Sequence, residues 1–170
     1  MKMFSRAGRA ALFDKTAFTE AFFDDDAMAD GALVVASVGA ATYLGWVVVR
    51  SGSFSITGLL SVVIGAVVSW LILGFATWFA ATRLFGATNR PQSLLALQGL
   101  ATLPLLLEIV GGFAAVAGLV WYLAVLVVGT REATDLALNK TVAAVLIGFA
   151  AAALVRALFR VPFAVFGTLL

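Results

Sequence analysis

The chain has neither cysteine nor histidine in its 170 residues. The first absence excludes disulfides, thiolate chemistry and Cys-based metal sites. The second removes the commonest general base and the usual axial haem ligand, and together they make a Ser–His or Cys–His catalytic pair impossible. Charge is also scarce, at 12% of residues against about 25% in a soluble domain. No Walker loop, dinucleotide fingerprint or nucleophile elbow occurs. No basic tract interleaved with aromatics supports a nucleic-acid partner. The sequence therefore points to a non-enzyme, with no metal and no cofactor expected beyond bound lipids.

What is present is apolar side chain. Hydrophobic residues make up 63% of the chain and the mean hydropathy is +1.10, whereas soluble domains average about 45–50% apolar residues. No water-soluble fold could cover that much apolar surface, so the bilayer is the expected solvent. The first thirty residues do not form a signal peptide. Lys2, Arg6 and Arg9 come early, but Asp14, Lys15, Glu20 and Asp24 to Asp26 follow where an apolar core should stand. Residues 1–30 are expected to be retained as a cytoplasmic amphipathic segment. Its Phe18 and Phe22 share a face at i, i+4, as in a short helix lying on the membrane surface. Asp24 to Asp26 and Asp30 lack the alternation and central glycine of a calcium loop.

A membrane helix needs about 20 largely apolar residues to cross about 30 Å. Residues 31–170 divide on that basis into five spans, at about 31–49, 56–82, 91–109, 113–130 and 141–159, with a short apolar tail. The apolar tract from Leu94 to Thr130 is the instructive one. As a single helix it would extend roughly 55 Å, so it reads as a hairpin turning at Gly111 and Gly112. Both glycines permit the positive φ of a helix terminus. Pro104 should kink the third span and free a carbonyl near residue 100. Eight of the basic residues fall on the side of the N-terminus, against Arg50, Arg156 and Arg160 on the other. That bias predicts an N-in, C-out topology.

Few polar residues stand inside these spans. Glu108 would be a functional site at midplane, but the hairpin places it at the outer end of span three, in reach of water. Gln98 is suited to hydrogen-bond across helices. Arg131 and Asp135 are spaced to pair at i, i+4 on a short cytoplasmic helix with Glu132 beside them, either as a solvated linker or as a contact for a soluble partner. Small residues recur every four positions, as at Ala32–Ala36–Ala40, Ser61–Gly65–Ser69, Ala114–Gly118 and Ala144–Gly148–Ala152. In lipid such stripes allow close helix packing, within one bundle or against another subunit.

The segments "FDKTAFTEAFFDDD", "NRPQSLLALQGLATLPLLL" and "VWYLAVLVVGTREATDLALNKTVAAVLIGF" give the chain a recognisable layout. It resembles the Yip1 family of small integral membrane proteins, in its prokaryotic branch. The resemblance implies a polytopic all-α fold and a non-enzymatic scaffold or adaptor. The expected setting is a prokaryotic cytoplasmic membrane, and the expected partners are lipids and other integral membrane proteins in a larger complex. The N-terminus is shorter than in eukaryotic members, which sets their trafficking contacts apart from this chain. Two other functions fit the residues: a small channel or transporter using Glu108, Gln98 and the Pro104 kink, or a lipid-organising protein acting through its Phe-rich N-terminal helix.

Overall fold

A computed structural model describes the backbone of residues 2–49 and 52–167 and the side chains of 3–49 and 52–155. The described residues form helices and no strand. Two short helices, α1 (Lys2–Ala11) and α2 (Lys15–Phe23), precede α3 (Ala27–Val49) and α4 (Ile56–Phe79). The chain then runs through a π-helical turn (Ala80–Leu84) into α5 (Pro91–Leu100) and a 3-10 segment (Leu103–Ile109). Helices α6 (Gly112–Thr134) and α7 (Leu138–Gly167) complete it.

Helices α3, α4 with its π turn, α6 and α7 are each long and apolar enough to cross a membrane. The pair formed by α5 and the 3-10 segment makes a fifth candidate when counted as one span. This pair bends by 41°, and the reason lies in Pro104. Proline lacks an N–H, and its ring occupies the space of the carbonyl four residues back. The α-helix accordingly ends at Leu100. Thr102 then turns the chain by donating both its N–H (3.2 Å) and its hydroxyl (2.7 Å) to the Gly99 carbonyl. The expected kink is thus a full break, with Pro104 opening a new segment. The turn beyond it falls at Gly111 (φ 76°) and Gly112 (φ 54°). Both are in the left-handed region that glycine adopts without strain.

Helix α5 is the centre of the bundle. Every residue from Leu94 to Thr102 is buried, and α1, α2, α3, α4 and α6 all pack on it. Trp70 of α4 donates its indole N–H to the Leu95 carbonyl at 3.0 Å. Close approach depends on missing side chains. A Cβ on Gly99 would stand 2.6 Å from the Cα of Gly31, and one on Gly118 would stand 2.7 Å from the carbonyl oxygen of Pro104. On α7, a Cβ at Gly148 would run into Thr77 and stand 2.8 Å from the Leu73 carbonyl oxygen.

Two small-residue stripes are therefore internal packing surfaces, those at Gly118 and at Ala144–Gly148–Ala152. On α3 the phase differs from the expectation. The buried positions are Ala27, Gly31, Val34, Val35, Val38 and Gly39, while Ala32, Ala36 and Ala40 are only half-buried. On α4, Ser61 and Gly65 face outward, and no described residue lies within 4 Å of a Cβ placed on Gly65.

The N-terminal segment also departs from its expected place. It is two helices rather than one, and they dock on the bundle. Phe18 is 0% exposed, with its ring over Gly129 of α6, where a Cβ would come within 3.0 Å of the ring. Phe22 packs partly buried on the same core, and it is Leu12 and Phe23 that stand exposed. The i, i+4 pattern was a true helical face, but that face meets protein.

The α6–α7 connection is shorter than the polar segment suggested. Helix α6 continues to Thr134, and α7 begins at Leu138 and runs to Gly167. The separate C-terminal tail is therefore a continuation of α7. Arg50 and the side chains of Arg156 and Arg160 lie outside the described residues.

Candidate functional site

Arg6, Arg9, Asp14, Glu20, Asp24 and Asp30 form one connected network of ion pairs. Arg6, 12% exposed, pairs with Asp24 at 2.8 Å, with Asp30 of α3 at 3.5 Å and with Glu20 at 3.9 Å. Arg9 pairs with Asp14 at 2.7 Å and Glu20 at 3.1 Å and also reaches the Thr16 hydroxyl. Lys15 reaches Glu132 of α6 at 2.9 Å. The Trp121 indole donates to the Ala11 carbonyl at 2.8 Å. Of the acidic run, Asp24 is in this way matched by Arg6, with Asp30 carrying the link into α3. Sequence reading missed this, because Arg6 and Asp30 are too far apart for any helical spacing rule to pair them.

Asp14 has a second role as the N-cap of α2, where it accepts from the Thr16 backbone N–H at 2.9 Å. Its carboxyl is lowered from 3.8 to about 2, first by the hydrogen bond from the Thr16 hydroxyl and then by that from Arg9. A carboxylate lowered on folding stabilises above its unfolded value, and that contribution is lost as pH falls through the folded value. Amide-exchange protection at the start of α2 is therefore expected to be flat from neutral pH down to about 4 and to fall between about 4 and 2. Asp14→Asn should abolish that acid-dependent step. A step that survives the substitution would assign it to another group.

The other sequence-selected residues are scattered. Glu108 is exposed in the 3-10 segment, three residues before Gly111. Gln98 is 1% exposed against Gly74 of α4, and neither of its polar atoms has a hydrogen-bond partner among the described residues. The expected cross-helix bond is therefore not made. Around Gln98 the carbonyls of α4 are already engaged within their own helix, as Leu73 is by the Thr77 hydroxyl at 2.7 Å. Pro104 is buried between these two positions in the chain, and its carbonyl faces Gly118. Gln98, Pro104 and Glu108 thus lie along one bent segment without converging on a common site.

Arg131 and Asp135 do not pair among the described contacts. Asp135 adopts the left-handed conformation (φ 52°, ψ 21°) and caps α6 through its backbone N–H to the Arg131 carbonyl at 2.9 Å. Aspartate tolerates that conformation, and leaving the helix takes its side chain off the face it would share with Arg131. Glu132 has Lys15 as its partner instead. No group of three or more acidic side chains that could hold a metal ion occurs among the described residues.

A bundle of apolar helices of spanning length, with the charges of its described residues at the ends, defines a polytopic α-helical membrane protein. The sequence profile of the Yip1 domain matches residues 26–159, most of the chain, and the protein belongs to the Yip1 domain family. The matched region runs from just before α3 into α7, so α1 and α2 precede it. Searches of curated proteins and of solved structures each returned no match.

Proposed function

We propose that this protein is a non-catalytic membrane scaffold or adaptor that packs laterally against other integral membrane proteins as an accessory subunit. Its setting is a prokaryotic cytoplasmic membrane. The observation that carries the reading is the outward face of α4. One side of this helix is committed to the bundle through Trp70, Leu73, Gly74 and Thr77. The opposite side presents Ser61 and Gly65 among exposed Leu60 and Ile64. Helices in lipid gain nothing from hydrophobic burial against one another, and they associate where small residues let backbones approach. A notch at Gly65 that no described residue fills is such a place.

The channel reading has less support, since its three residues do not converge. The lipid-organising reading has less too, since Phe18 is committed to the core.

The missing cysteines make the test clean. A single Gly65→Cys reporter should crosslink in native membranes to another membrane protein, whereas Ala144→Cys, on the fully buried face of α7, should not. Gly65→Leu should reduce co-purification in mild detergent by about tenfold, as expected for loss of about 1.4 kcal/mol of packing, while leaving the protein's own stability unchanged. If mass spectrometry of the gently purified protein returned this chain alone, the accessory-subunit reading would fail.

A further inference from the structure

The described cations fall into two groups. Arg6, Arg9 and Lys15 are all in ion pairs. Arg83, Arg90, Arg131 and Lys140 are exposed and have no ion pair among the described residues. These four lie on two neighbouring connections at one end of the bundle. Arg83 belongs to the π turn, whose Ala80 and Ala81 are fully buried together with Ala144 of α7. Phe85, Ala87 and Leu136 pack around that cluster. The α4–α5 connection, ending at Arg90, is thereby held against the α6–α7 connection, which Arg131 and Lys140 flank. Of the acidic side chains on these two connections, Glu132 is taken by Lys15, leaving Asp135 to offset four cations.

Apolar side chains stand exposed beside them: Phe79 and Leu84 next to Arg83, and Leu138 next to Lys140. Free cations at the end of spanning helices, edged by exposed apolar groups, match a ligand with an anionic head and an acyl tail. A soluble anion would use the cations and leave the apolar edge idle.

We propose that this end of the bundle is a binding surface for anionic phospholipid headgroups, with Arg83, Arg90, Arg131 and Lys140 contacting phosphate. The proposal does not depend on a protein partner at α4. A basic side chain near an anionic membrane surface contributes about fivefold in affinity, equivalent to ~1 kcal/mol. The detergent-purified full chain is titrated with phosphatidylglycerol or phosphatidylcholine of matched acyl chains, and bound lipid is counted by native mass spectrometry.

Phosphatidylglycerol should be preferred. Arg83→Gln and Arg131→Gln should each reduce that preference about fivefold, and the fourfold Gln variant should abolish it. The single variants keep the test valid if the fourfold variant misassembles. Arg9→Gln, which removes a cation already paired with Asp14 and Glu20 away from this surface, should leave the preference intact, separating this surface from net charge. Excess inorganic phosphate should not displace the lipid, since the apolar edge contributes to holding it. Equal binding of the two lipids by the wild type, a preference that survives in the Arg83 and Arg131 variants, equal loss in Arg9→Gln, or displacement by phosphate would each overturn the proposal.

Discussion

Gly99→Val is expected to prevent assembly of the bundle. Helices α3 and α5 cross at Gly31 and Gly99, where neither helix has a side chain. A Cβ on Gly99 would stand 2.6 Å from the Cα of Gly31 and 2.8 Å from its carbonyl carbon and oxygen. Those are backbone atoms of a long helix, so no rotamer change can make room and the helices must separate. Separation strips Ala96 and Gly99 from α3 and draws Asp30, the neighbour of Gly31, away from Arg6. Adding methylenes to an ordinary core costs about 1–3 kcal/mol because side chains can shift. With backbone on both sides of the clash the loss should exceed about 3 kcal/mol.

The expected signs are a large fall in the midpoint of detergent-denaturant unfolding and loss of a monodisperse species. Two companions grade the effect. Gly31→Ala, whose nearest contact would be the Ala96 carbonyl oxygen at 3.1 Å, should be milder. Gly65→Ala has open space and should be neutral or slightly stabilising, as alanine is in a helix interior. Wild-type stability in Gly99→Val would show that α3 and α5 do not cross at these glycines.

The spans were legible because bilayer thickness converts apolar length into helix count. The turn at Gly111 and a bend at Pro104, though not its full extent as a break, were legible because proline and glycine act on the backbone locally. The inward phase of α3 was not. In water a helix shows its buried side by being apolar there, but here both sides are apolar, and only close packing distinguishes them. Ala32–Ala36–Ala40 has as good a small-residue spacing as the positions actually used, so Gly31 and Gly39 could not be selected by spacing. Asp135 illustrates a different limit. An i, i+4 rule presumes that the helix continues, and a residue that ends it removes itself from the rule. The candidate surfaces were the least legible, because the free and paired cations look alike until Arg6 is seen among carboxylates and Lys15 beside Glu132.

Phe18 presents the same ambiguity, and its replacement is the second large effect. A helix with Phe18 and Phe22 on one face can present that face to headgroups or to protein, and the spacing is identical. In the bundle the ring of Phe18, carried on the helical hairpin that α1 and α2 form, fills the notch over Gly129. Phe18→Ala empties that notch, and Phe→Ala changes in cores cost about 3–5 kcal/mol. The remaining ties of α2 to α6 cannot offset this. Lys15–Glu132 is a surface pair with Lys15 largely exposed, and such pairs contribute about 0–1 kcal/mol. The Trp121 bond to Ala11 contributes about 0.5–1.5 kcal/mol and holds the end of α1 rather than α2.

The hairpin should therefore come away from α6 while the spanning helices stay assembled. Amide exchange across Lys15–Phe23 should rise sharply, and protease should cut near the exposed Leu12 and Phe13. Lys15→Ala should change neither by more than a fewfold. If instead Phe18→Ala left exchange in α2 unchanged and weakened only binding of the protein's N-terminal segment to lipid vesicles, the ring would belong on the membrane surface and the docked hairpin would be wrong.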